Sequence, residues 1–195
     1  HHMNSPINDT LTQIHMDIHK ACKISGRKPA EITLVAVSKF QDEARLDEAL
    51  HAGLRVFGEN RVQEAKTHWA ERRAQYPDLC LHLIGPLQTN KAKEAVALFD
   101  VIETIDRPDI VEAIAKESRI QNKTPVCFIQ VNTGGEAQKA GVSLEDLPAL
   151  VEMCRGAGIN LQGLMCIPPV DEPAAFHFAL LKKLAARYQL PLLSM

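Results

Sequence analysis

The stretch EITLVAVSKFQDEARLDEALHAG, residues 31–53, decides the fold. Ile32–Val37 is an unbroken run of apolar or weakly polar residues. Ser38 and Lys39 follow it. Ala44, Leu46, Ala49 and Leu50 then recur at helical spacing up to Gly53. A short apolar run without alternation reads as a strand buried on both faces. The stretch is therefore strand, lysine, helix, and the lysine stands at the exit of a buried strand.

The same unit repeats along the chain. Strands are expected at 32–38, 54–60, 79–85, 101–105, 125–132, 160–167 and 190–195. Helices are expected at 43–52, 61–76, 90–99, 108–120, 144–158 and 173–188, with Asn90 as an N-cap and Pro108 in a first turn. One more amphipathic helix, 7–24, precedes them, with Ile7, Leu11, Ile14, Ile18 and Cys22 at steps of three and four. Strand–helix alternation with Val-, Ile- and Leu-rich strands predicts a parallel sheet covered by helices. An open doubly wound sheet needs a glycine-rich phosphate turn after its first strand, and SKFQDE is not one. The fold class expected is α/β: a (β/α)8 TIM-type barrel with an extra N-terminal helix, lacking its last βα unit. The expectation is one domain over 4–195. His1–Met3 read as a tag remnant with a start methionine. A seven-stranded parallel barrel has open apolar edges, so the final unit is expected to be truncated or disordered.

Composition narrows the function. Of 195 residues, 46% are hydrophobic and 24% charged, which suits a folded globular chain. A formal charge of -2 gives no electrostatic case for nucleic acid or an anionic membrane. No apolar run has the ~18–20 residues of a membrane span. Cys22, Cys80, Cys127, Cys154 and Cys166 are scattered and odd in number, which points to a reducing cytoplasm, with each thiol serving as a small buried hydrophobe. The histidines have no zinc spacing with them.

In a barrel the chemistry gathers at the C-terminal ends of the strands. Those exits carry Ser38-Lys39, Gly58-Glu59-Asn60, HLIGPLQTNK (82–91), VNTGGEAQKAG (131–141), LMCIPP (164–169) and LSM (193–195). At an apolar mouth desolvation favours a neutral amine, which attacks an aldehyde to form an imine. Taken alone, a lysine past a strand end is more often a solvated charge. Asn60 is a ligand donor or an N-cap for the helix at 61. Asn90 and Lys91 read as helix-start residues, and His82 as an interior histidine. Gly134-Gly135 reads as a turn, and Lys139 as a solvated lysine. The spacing of Glu59 and Glu64 fits a helix start and a solvated face. Trp69 reads as a core or interface aromatic.

LVAVSK, FGENRVQEA, LHLIGPLQTNK, VNTGGEAQKAGV, GLMCIPP and LSM, in this order from Ile32 to Met195, resemble the pyridoxal phosphate homeostasis proteins, the YggS or PROSC family. Each motif alone is weak, but the ordered set is specific. The resemblance implies the barrel of the alanine racemase N-terminal domain. It implies that Lys39 holds pyridoxal 5'-phosphate as a Schiff base, with Asn60 beside the ring, Met165 lining the pocket and Ser194 starting the phosphate loop. Lys139 matches a family lysine implicated in cofactor transfer. The role implied is vitamin B6 homeostasis and supply without turnover. Cofactor-dependent apo-enzymes would be the recipients, and the protein would be a monomer or weak homodimer in the cytoplasm. The racemases and decarboxylases of this barrel add a second β-domain that supplies catalytic groups, and no such domain is expected here. A racemase or lyase acting on an amino acid is the alternative. So is an aldolase-like barrel whose lysine meets a carbonyl substrate directly.

Overall fold

A computed structural model describes residues 6–39, 41–137 and 139–195. The expected tag remnant, His1–Met3, lies outside the described residues. Seven parallel strands form one sheet in strict chain order: β1 Ala36–Val37, β2 Val56–Glu59, β3 Cys80–Leu83, β4 Val101–Ile105, β5 Val126–Gln130, β6 Asn160–Met165 and β7 Leu192–Ser194. Helices separate them: α1 Pro6–Ser25, α2 Glu43–His51, α3 Val62–Trp69, α4 Arg72–Gln75, α5 Ala92–Leu98, α6 Pro108–Gln121, α7 Leu147–Gly156 and α8 Ala174–Arg187. This is the curled parallel sheet of a TIM-type barrel with seven of its eight units, as the alternation predicts.

The two faces of the strands differ. Leu81, Leu83, Ile102, Ile129 and Leu164 belong to one large core shared with the helices, and each is 0% exposed. Full burial of such a side chain stabilises by about 1.5–3 kcal/mol. The opposite face carries Gly58, His82, Val101, Phe128, Gly163 and Met165. Of these, Val101, Phe128 and Met165 form a separate small cluster inside the curl. Two glycines on the inner face are there for space. A Cβ on Gly58 would stand 2.9 Å from the Ile84 side chain, and one on Gly163 would meet the Leu192 carbonyl at 2.4 Å.

Several local expectations are corrected. Strand 32–38 is shorter than expected: its ladder to β2 covers Ala36–Val37, and the Ser38 amide also donates to the Gly58 carbonyl at 3.0 Å. Helix 61–76 is two helices, α3 and α4. Where a continuous helix would give the His68 carbonyl to the Arg72 amide, that carbonyl accepts from Arg72 Nη1 at 2.7 Å. The same guanidinium bonds Asp47 and Glu43 of α2, so a tertiary clamp breaks the helix. Asn90 is not an N-cap. It lies inside a 3-10 turn, Thr89–Lys91, that leads into α5. Elsewhere Pro108 opens α6 as expected, and a cap not singled out in the sequence starts α2: Asp42 accepts from the Arg45 amide at 2.9 Å. Helix α1 buries only Cys22 among its residues.

Candidate functional site

The strand exits form one rim. Ala36 packs on the helix-side core, and the Cβ position of the inward Gly58 lies 3.1 Å from Val35. Strand side chains alternate between faces. Val35, Val37 and Lys39 therefore share the inner parity, while Ala36 and Ser38 share the outer one. Val37 is the register partner of Gly58, so Lys39 and Asn60 each stand two residues beyond a paired inner position. Both side chains are half-buried. Met165 ends β6 at 4% exposure, and Ser194 ends β7 as its register partner, half-buried. All four expected site residues thus stand at the same end of the sheet. Met165 and Ser194 are neighbours, as are the ends of β1 and β2. The two pairs lie toward opposite edges of the sheet.

Asn60 does not cap the following helix. The N-cap of α3 is Arg61, and no side chain caps it. Asn60 instead has its backbone pressed by the next strand exit. A Cβ on Gly85 would lie 2.2 Å from the Asn60 carbonyl oxygen, so only glycine fits there. The Gly85 carbonyl accepts from the buried Thr104 hydroxyl at 2.8 Å. The GEN and IGP motifs are thereby locked to each other at the rim.

A buried carboxylate braces the exit of β1. Glu59 is 0% exposed, not on a solvated face as its spacing suggested. Its Oε1 accepts from the Ser38 hydroxyl at 2.7 Å and the Trp69 indole at 2.9 Å, and lies 2.7 Å from His68 Nδ1. Its Oε2 is buried without a hydrogen bond. Ser38 precedes Lys39, so this clasp holds the lysine's backbone to β2 and α3. Trp69 is a core residue at 0% exposure, packed on Phe57 with ring centroids 4.3 Å apart.

Inside the curl, His82 Nδ1 lies 2.7 Å from Glu103 Oε2. Burial pulls His82 down. Hydrogen bonds to Cys80 and Glu103 and the charges on both outweigh this, and its pKa rises to about 9. The histidine is interior and satisfied, as expected. Nothing in the sequence reading singled out its carboxylate, although a glutamate in the middle of VIETI was the available signal.

Two cavities open at the exit of β5. One of about 160 Å³ is lined by Gln130, Asn132, Glu136 and Lys139, and one of about 440 Å³ by Thr133, Gly135, Lys139 and Ser143. Lys39 lines neither of them. Lys139 is about half exposed and pairs with Glu136 at 3.2 Å. Gly135, at φ +67°, makes the turn that the glycine pair suggested. Beneath this loop, the buried His177 of α8 lies 2.9 Å from Thr133 Oγ1 and 3.1 Å from Glu172 Oε2, tying the β5 exit to the β6 exit.

Residues 19–194 match the model of the alanine racemase N-terminal domain family. Over 188 residues the chain is 41% identical to the pyridoxal phosphate homeostasis protein of Pseudomonas aeruginosa, covering 92% of this chain and 79% of that one. The chain belongs to the pyridoxal phosphate homeostasis protein family. Among solved structures, PipY of Synechococcus elongatus without pyridoxal phosphate superposes with a TM-score of 0.76 at 35% identity, covering 91% of this chain and 87% of that one. PipY with pyridoxal phosphate bound superposes at 0.69 and 32% identity, with the same coverage. An alanine racemase of Clostridium difficile shares the fold, with a TM-score of 0.62 at 12% identity over 81% of this chain and 43% of that one. The family resemblance read from the six motifs is thereby established, and with it the barrel. No helix among the described residues is long and apolar enough to cross a membrane.

Proposed function

We propose that this chain holds pyridoxal 5'-phosphate as a Schiff base on Lys39 and serves intracellular vitamin B6 homeostasis without turning over a substrate. The supporting observation is the position of Lys39: inner parity, half-buried, at the rim of a barrel whose family member PipY has been seen with the cofactor. The residues present fit such a group. Val101, Phe128 and Met165 form an apolar floor inside the curl. Asn60 lies level with Lys39 on the adjoining strand exit, Met165 offers an apolar surface, and Ser194 offers a hydroxyl at the rim. The cofactor, when bound, supplies an aldehyde carbon for the amine and an electron-withdrawing ring. The chain's own part is to orient the amine through the Ser38–Glu59 clasp and to offer the apolar cluster of Val101, Phe128 and Met165 inside the curl.

Absence of turnover is supported by where the phenols lie. Tyr76 is the C-cap residue of α4 and Tyr188 that of α8. Helix C-termini lead into strand N-termini, so both phenols belong to the mouth opposite Lys39. Neither can act as acid or base on a group held at the rim. The proposal extends to a cytoplasmic protein of one domain, monomer or weak homodimer, that passes its cofactor to apo-enzymes.

The test is the visible spectrum of the purified chain with added pyridoxal phosphate, followed by borohydride reduction and peptide mapping. An imine band, and label fixed on Lys39, are expected. Lys39→Ala should lose both completely. Label on another lysine, or steady amino-acid turnover that depends on Lys39, would overturn the reading.

A further inference from the structure

Three side chains meet behind the rim, at the junction of β2 and α3. Glu59 ends β2. Glu64 and His68 stand four residues apart on α3, which places them on one face of that helix. Each offers one potential metal-ligand atom, and the three atoms lie within 4.8 Å of one another. Among the described residues, this is the group of carboxylates, imidazoles or thiols that gathers so closely. Glu59 and His68 are buried, and Glu64 is half-buried.

A bare oxygen is the second observation. Glu59 Oε1 takes the Ser38 hydroxyl, the Trp69 indole and the contact with His68 Nδ1. Its Oε2 is buried and has no hydrogen-bond partner. Leaving an ionised oxygen bare in a core is costly, and a cation beside it removes the cost. Within the cluster the charges do not balance either. Two carboxylates outnumber the single charge an imidazole can carry, and like charges this close disfavour one another. A divalent ion reverses that repulsion. One imidazole nitrogen with two carboxylate oxygens is a donor set for zinc and its transition-metal neighbours, bound at about 2.0–2.2 Å with a position left for water. Magnesium prefers oxygen donors and its own waters.

We propose that Glu59, Glu64 and His68 form a zinc-type divalent cation site at the junction of β2 and α3. His68 Nδ1 carries the ring proton in its bond to Glu59, because an ionised carboxylate only accepts. The ion replaces that proton on Nδ1, and the ring keeps its proton on Nε2. Glu59 contributes the bare Oε2, while Oε1 stays with Ser38 and Trp69. Glu64, the most exposed of the three, closes the set from the solvent side. An ion held there joins β2 to α3 and, through the Ser38 hydroxyl, both to the exit of β1. The site stands whether or not Lys39 holds a cofactor.

Trp69 is the chain's single tryptophan, and its indole donates to Glu59, so its emission reports the cluster. The 195-residue chain is freed of metal with a chelator and titrated with zinc chloride, cobalt chloride and magnesium chloride in turn. Zinc should change the Trp69 emission to saturation, cobalt should quench it, and magnesium should do neither. Tm should rise by about 5–10 °C at zinc 100-fold above its dissociation constant. Glu64→Gln keeps the size of the side chain and should weaken zinc binding by about 10–100-fold. His1-His2 and the exposed His15–His19 pair of α1 also attract zinc, but that uptake persists in Glu64→Gln, so the difference between the two proteins is the readout. The wild-type emission titration decides the matter even where the variant does not fold. A Trp69 emission unmoved by zinc overturns the proposal. So does a folded Glu64→Gln protein with the wild-type zinc affinity, or a magnesium response equal to that of zinc.

Discussion

Two glutamates are fully buried in this sheet, on opposite faces, and they are used differently. Glu59 faces the helices. Three groups from β1's exit and α3 converge on one of its oxygens. Glu103 faces the inside of the curl, and among the described residues its hydrogen-bond partner is His82. A carboxylate oxygen that takes three contacts at once is a brace, because those contacts tie β1's exit and α3 to one point. A carboxylate with one titratable partner ties its contribution to that partner's protonation. The number of partners, not burial, separates the two.

The comparison is most easily broken at Glu59. Glu59→Ala strands the Ser38 hydroxyl, the His68 ring and the Trp69 N–H in the core. It should cost about 3–5 kcal/mol in a urea melt. A loss under about 1 kcal/mol would mean that the clasp is not a brace. The inner pair should reveal itself through pH. His82 has a folded value near 9, above its ordinary 6.5, so its contribution is fully present below about pH 6.5 and is lost as pH rises through 9. Stability should therefore fall by about 1–3 kcal/mol over that window. Glu103→Gln should flatten the fall, and an unchanged slope in that variant would detach the histidine from the carboxylate. The smallest effect is expected of Ser38→Ala, which removes one of three donors to Glu59 and should cost about 1 kcal/mol. If this variant also slows imine formation on Lys39, measured by stopped-flow absorbance, the clasp positions the lysine as well as the strand.

Much of this was legible in the chain, and what was not has a common cause. The seven strands were readable because each is a short apolar run between helical periods. The rim was legible because barrel chemistry collects at strand exits, and the roles of Lys39, Asn60, Met165 and Ser194 were implied by the family resemblance of the six motifs. The break between α3 and α4 was not readable. It depends on Arg72 reaching Glu43 and Asp47, which lie 29 and 25 residues earlier. The burial of Glu59 was misread because its nearest neighbours in sequence resemble a helix start, while one of its donors lies 21 residues away. Glu103 was visible as a charge within an apolar strand, yet its histidine sits on the preceding strand, 21 residues back. Local periodicity reports which elements form. It does not report which polar groups they bring together.

The strand order has a kinetic corollary. Every strand pairs only with those next to it in the chain, from β1 through β7. Among the described residues, no strand pairs with one made later than the following unit. Contacts close across loops of about one βα unit, whose entropy cost grows only slowly with length. A chain emerging from the ribosome can thus extend its sheet one strand at a time, each addition resting on the one before. Topologies whose first and fourth strands must meet have no such route, because their early segments stay exposed until the distant partner arrives.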